Sequence, residues 1–224
     1  MKNVKVILWG LGAMGGGIGK MLTKKKGVDI VGAIDIGAKV GKSLYEVVPG
    51  IVKGDREDVI VGTPEEVIKP GVADIVVVCT NSFTKDVFDK LVFVMERGMN
   101  VITSAGEMAY PQAQEPELAK KLDEIAKKNG VSVMGTGINP GLIMDLLVVL
   151  WTAACEEVNH VTSRRVNSLS PFGPAVMEEQ GIGISVEEFN ERKANGTMAG
   201  HVGFAESTMM ICDALGWKGE DFGQ

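Results

Sequence analysis

A strand runs straight into a glycine turn and then a helix within the first 22 residues. Lys5-Val6-Ile7-Leu8-Trp9 reads as a buried strand, Gly10-Leu11-Gly12-Ala13-Met14-Gly15 follows at once, and Ile18, Met21 and Leu22 continue as a helical run. In that context G-x-G-x-x-G is a dinucleotide-binding fingerprint. Gly10 permits the tight turn, Gly12 lets backbone approach a pyrophosphate, and Gly15 lets helix pack close to strand. The helix then offers free N–H groups and a positive dipole end to phosphates. The backbone of Gly10, Gly12, Ala13, Met14 and Gly15 is the expected cradle. A second strand, Val28 to Ile34, ends in Asp35, about 20 residues past the last glycine, where an acid would meet a ribose hydroxyl. Lys39 and Lys42 follow closely and offset its repulsion of a 2′-phosphate, so the pattern implies NAD with tolerance for NADP.

The rest of the first 135 or so residues alternates between strand and helix signals. Asp74 to Cys79 is a continuous apolar run, as expected for a parallel strand covered on both faces. Val101-Ile102-Thr103 and Val131 to Met134 are shorter versions. Thr63-Pro64-Glu65-Glu66 carries a cap, an N1 proline and a capping-box glutamate. Glu117 to Lys128 is an amphipathic helix closed by Asn129-Gly130. The fold class is therefore α/β, a Rossmann-type doubly wound parallel sheet.

After the turn-rich joint Gly135 to Gly141 the pattern changes. A buried helix is expected from Leu142 to about Ala154, a strand from Val158 to Val166, a loop from Ser168 to Pro174, and helices from Val186 and from Phe204 to Leu215. This reads as a smaller α+β domain with too little strand material to complete a sheet. The expected division is 1–140 for dinucleotide binding and 141–224 for part of a substrate and oligomerisation domain.

Composition excludes several classes. A formal net charge of −6 argues against a nucleic-acid surface. No apolar run approaches a membrane span, and no secretory segment precedes the first strand, so a cytoplasmic protein is expected. Cys79, Cys155 and Cys212 are odd in number and widely spaced, without metal-ligand spacing. Each reads as a small buried apolar residue.

Ligands of open α/β sheets lie beyond the carboxyl ends of the strands. That rule selects the glycine turn, Cys79 to Phe83, Thr103 to Glu107, and the joint. Thr80 and Asn81 bond cofactor ribose or phosphate, or else Ser82 or Asn81 simply caps the next helix. Glu107 either exchanges protons from a partly desolvated site or is a solvated loop acid. His160 reads as structural; His201, flanked by glycines, suits either a pocket or a surface turn. Arg164 and Arg165 face opposite ways on a regular strand, so at most one can clamp a carboxylate.

Taken together, Thr103-Ser104-Ala105-Gly106-Glu107, Gly135-Thr136-Gly137-Ile138-Asn139-Pro140-Gly141, Arg165 with Leu169 to Pro174, and Gly200-His201-Val202-Gly203-Phe204 resemble the 2,4-diaminopentanoate dehydrogenase family. These are amine dehydrogenases of anaerobic ornithine breakdown; dihydrodipicolinate reductase is similar more distantly. The resemblance implies oxidative deamination: hydride leaves C4 of a diamino acid for NAD or NADP, water adds to the iminium, and ammonia departs. It implies Glu107 as the acid/base, Arg165 facing the substrate carboxylate, His201 in the same pocket, and Asn139 and Pro140 near the nicotinamide. Family members continue well beyond Gln224, which implies a truncated second domain here and a homodimer at full length. Two other readings stay open: a homoserine- or dipicolinate-type oxidoreductase, and an NAD(H)-binding protein without turnover.

Overall fold

Apolar runs that lack polar alternation become the strands of one parallel sheet. The structure, a computed structural model, describes residues 2–166, 168, 177–178, 180–198 and 202–218. Within them β1 (Val4–Trp9), β2 (Val28–Ile34), β3 (Val61–Gly62), β4 (Ile75–Val78), β5 (Asn100–Thr103) and β6 (Val133–Gly135) pair in the order β3-β2-β1-β4-β5-β6, every pair parallel. Helices α1 (Ala13–Leu22), α2 (Leu44–Val47), α3 (Pro64–Val67), α4 (Thr84–Met95) and α5 (Pro116–Asn129) fill the crossovers. This is the Rossmann-type doubly wound fold.

Alternate side chains of a strand leave opposite faces, and two cores follow. Ile7, Val76, Val78 and Val101 pack with Val87, Leu91 and Met95 of α4 and Leu122 of α5 on one face. Val6, Leu8, Ala33 and Val77 pack with Leu11, Leu44 and Val48, and with Ile18 and Leu22 of α1, on the other. Helix ends follow the sequence signals. The Thr63–Glu66 capping box is formed, and α5 closes on Gly130 at φ +64°.

The chain beyond the sheet departs from expectation in three ways. First, α6 spans only Leu146–Thr152, because Asp145 caps it: Asp145 Oδ1 accepts from Leu146 N at 2.6 Å. It is not buried. Leu150 and Trp151 are 60% and 72% exposed, and nothing among the described residues covers that face. Second, residues 158–166 form no strand, since no neighbouring strand among the described residues supplies ladder partners. Third, the cysteines are not the buried residues expected: Cys155 is exposed, and Cys79 and Cys212 are partly so. The later helices α7 (Val186–Ala194), capped by Ser185 Oγ, and α8 (Phe204–Leu215), closed by Gly216, lie where the sequence puts them.

Asp145 also ties these pieces together. Fully buried, it accepts from Gly141 N at 2.7 Å and from Ser207 Oγ of α8 at 2.9 Å. Asp145→Ala leaves buried donors without an acceptor and should cost about 3 kcal/mol, against about 1 kcal/mol for Ser207→Ala. Urea denaturation checks this. Equal, small losses would mean that the joint is held by apolar packing instead.

Candidate functional site

Strand register builds the site. Ile34 pairs with Trp9, Trp9 with Val78, Val78 with Thr103, and Thr103 with Gly135. The carboxyl ends of five strands therefore stand in one row. Asp35, the glycine turn, Thr80, Glu107 and the joint all leave the sheet from that row. The switch point, where strand order reverses, lies between β1 and β4, and in such sheets it is the ligand crevice.

The glycine turn sits at this crevice. Gly10, at φ +95°, lies so close to the exit of β4 that a Cβ there would stand 2.6 Å from the Cys79 carbonyl. Gly12 caps α1 with no side-chain hydrogen bond, and a Cβ built on it meets nothing within 4 Å. Open space in front of an uncapped helix N-terminus, beginning at Ala13 and the half-exposed Met14, is what a pyrophosphate needs. A nicotinamide dinucleotide therefore fits the residues present.

Asp35 is more engaged than its motif suggests. Its Oδ2 accepts from Leu11 N and from Lys39 Nζ, both at 2.8 Å, and Oδ1 accepts from Ile36 N at 2.7 Å. Partial burial pushes its carboxyl up, but the Lys39 hydrogen bond, the two backbone donors and the Lys39 charge outweigh it and hold it below its ordinary value. Lys39 Nζ also donates to Leu11 O at 3.1 Å.

Glu107 lies in a 3-10 turn, Gly106–Ala109, and is only 8% exposed, so it is not a solvated loop acid. Its Oε2 accepts from Thr84 N at 2.7 Å. The glutamate itself thus satisfies the N-terminus of α4, in place of the Asn81 or Ser82 caps considered from sequence. Asn81 Oδ1 instead takes Lys90 Nζ at 2.7 Å, and the cap position belongs to Phe83. Thr80 stays against the glycine turn, its Cγ2 3.1 Å from where a Gly10 Cβ would sit.

The joint and the residues leading into α8 pack beside Gly106, the neighbour of Glu107. A Cβ on Gly106 would lie 3.7 Å from the Pro140 ring, and one on Gly203 would lie 2.4 Å from it. Two side chains of α8 hold the segment after Glu107. Glu206 Oε1, fully buried, accepts from Gln114 Nε2 at 2.7 Å, and Asp213 Oδ2 accepts from Tyr110 OH at 2.5 Å. The Asp213 hydrogen bond, with burial and the carboxylate charge, pushes the Tyr110 phenol up to about 12, so it remains a donor. Burial pushes the Cys79 thiol up despite a Ser104 hydrogen bond, which leaves no thiolate nucleophile there. A cavity of about 250 Å³ lies between Asn139, Met144, Gly203, Ser207 and Trp217. Arg165 is half-buried and Arg164 exposed. His160 is exposed and pairs with Thr162 Oγ1 at 2.8 Å. His201 and Leu169 to Pro174 lie outside the described residues.

Known proteins bear on this arrangement. Residues 142–224 match the 2,4-diaminopentanoate dehydrogenase C-terminal domain. Along 97% of its length the chain is 65% identical to 2,4-diaminopentanoate dehydrogenase of Acetoanaerobium sticklandii. This chain is related to 2,4-diaminopentanoate dehydrogenase. It spans 62% of that relative's length. Its structure is similar to amine dehydrogenase from Mycobacterium smegmatis, with a TM-score of 0.72 and 27% identity over 96% of this chain and 61% of that one. The resemblance read from the sequence thus holds along nearly the whole chain.

Sequence reasoning missed Asp145, Gln114, Glu206 and the Thr84 amide. Asp145 had a signal, an acid directly before the apolar run Leu146 to Leu150. The Gln114–Glu206 pair bridges 92 residues and had none.

Proposed function

We propose that this chain acts as an NAD(P)-dependent amine dehydrogenase that oxidatively deaminates 2,4-diaminopentanoate to 2-amino-4-oxopentanoate and ammonia. The single observation that carries this reading is the buried Glu107 carboxylate, exiting the same row of strand ends as the open glycine turn. The 65% identity to a named 2,4-diaminopentanoate dehydrogenase supports the substrate. Residues 1–140 serve as the dinucleotide domain and 141–224 as part of the substrate and oligomerisation domain.

Gly10, Gly12, Ala13, Met14 and Gly15 would hold the pyrophosphate, Asp35 the adenosine ribose, and Thr80 and Asn81 the remainder, with Asn139 and Pro140 beside the nicotinamide. The bound nicotinamide supplies the hydride acceptor. Glu107 keeps one oxygen on the α4 N-terminus, which fixes its rotamer, and uses the carboxylate to take a proton from the substrate amine or attacking water. It returns that proton to the departing nitrogen. Arg165 and His201 would bind the substrate. The protein acts in ornithine catabolism in the cytoplasm as a homodimer; the exposed apolar face of α6 supports a covered surface there.

NAD(P)H formation with 2,4-diaminopentanoate, matched by ammonia release, tests the reading. Faster reduction of the cofactor with homoserine and no ammonia would overturn it.

Substrate recognition gives a finer prediction. The substrate carboxylate is remote from C4, and binding energy there positions C4 for hydride transfer. Arg165→Ala should lose about 10–100-fold in kcat/KM for the diamino acid and little for an amine without a carboxylate. A selective loss in Arg164→Ala instead would assign the clamp to the exposed arginine.

A further inference from the structure

Asp35 presents two oxygens, and a carboxylate has about four lone-pair sites. Both sites on Oδ2 are taken, by Leu11 N and Lys39 Nζ, while Oδ1 takes Ile36 N. A ribose diol gripped by both oxygens needs one site on each. The Leu11 amide is part of the glycine turn and cannot leave without dismantling it. Lys39 can leave: its side chain is 36% exposed, against 13% for Asp35, and it ends a short 3-10 turn, Gly37–Lys39.

We propose that Lys39 sets cofactor choice by competing with the adenosine ribose for Asp35 Oδ2, so that a 2′-phosphorylated dinucleotide is accepted beside the unphosphorylated one. The inference rests on the dinucleotide reading above. A free ribose diol gains its second acceptor oxygen only by displacing the ammonium, which then returns to water. A 2′-phosphate draws the same ammonium off Asp35 and keeps it, since three rotatable donors on a flexible stem reorient readily. The cation thereby offsets the repulsion that Asp35 alone would impose on the phosphate. Lys39 also donates to Leu11 O, so its movement is felt at the glycine turn itself.

Lys39→Met keeps the stem and removes the charge. NADH and NADPH are titrated separately by nicotinamide fluorescence at low ionic strength, a readout independent of turnover. NADPH affinity should fall about 10–100-fold, the worth of one charged hydrogen bond. NADH affinity should stay level or rise up to about threefold, since the displaced pair is half-exposed. Lys39→Arg should retain NADPH. Parallel loss of both cofactors would make Lys39 only a latch on the turn and overturn the proposal, as would no change in either. Failure of the unaltered chain to bind NADH would overturn the dinucleotide reading along with it.

Discussion

Glu107→Gln should lower kcat by about 10²–10⁴-fold while NADH affinity stays within a factor of about two. Two roles compete for this side chain. In one it is only a cap, since Oε2 takes the first free amide of α4 at 2.7 Å. In the other the cap is the mount and the carboxylate is the acid/base. Glutamine separates them. Its amide oxygen can still accept from Thr84 N, and its shape fits the 8%-exposed slot that Glu107 fills. It cannot take a proton. The lost charge at the helix N-terminus costs about 1 kcal/mol, a small change in melting temperature. Glu107→Ala is the poorer test, because it strands the Thr84 amide at about 1–3 kcal/mol and mixes folding with chemistry. Steady-state kinetics with thermal melts decide the matter. A Glu107→Gln enzyme at full rate would reduce Glu107 to a cap.

Much of this site is legible in local sequence, because Rossmann geometry converts chain position into space. Each parallel strand must end at the same edge, so the few residues after Trp9, Ile34, Val78 or Thr103 are placed by counting. That logic found Gly10, Asp35, Thr80 and Glu107. It failed where partners come from far along the chain. Glu107 caps a helix 23 residues upstream, and Gln114 meets Glu206 across 92. No periodicity encodes such pairs. The reading also failed where burial depends on what packs outside a segment. The apolar run Leu146 to Leu150 looked buried because it is apolar, yet hydrophobicity states only what a helix would cover, not what covers it. Residues 160–166 alternate in exposure as a strand would, but alternation without a hydrogen-bonding neighbour does not make one.

Two glycines of one fingerprint should fail in opposite ways. Gly12→Val should abolish measurable NADH binding and leave the fold standing. A Cβ at Gly12 meets no atom within 4 Å, and its φ of −76° suits any residue. The cost to the chain is the poor capping of α1 by valine, about 1 kcal/mol. The branched side chain then occupies the space in front of the helix where a pyrophosphate must come within hydrogen-bond reach of backbone N–H groups. Gly15→Val should do the reverse. A Cβ there would stand 1.8 Å from the Gly10 carbonyl oxygen, which is backbone and cannot turn aside. Helix α1 must lift off β1, opening the core of Leu8, Leu11 and Val48, at a cost of 3 kcal/mol or more on the scale of about 1–3 kcal/mol for ordinary overpacking. Fluorescence titration of NADH, run beside urea denaturation, reads both effects. If Gly12→Val binds NADH as the unaltered chain does, the pyrophosphate is not at this turn. If Gly15→Val is as stable as Gly12→Val, the close approach of helix to strand is not what this glycine is for.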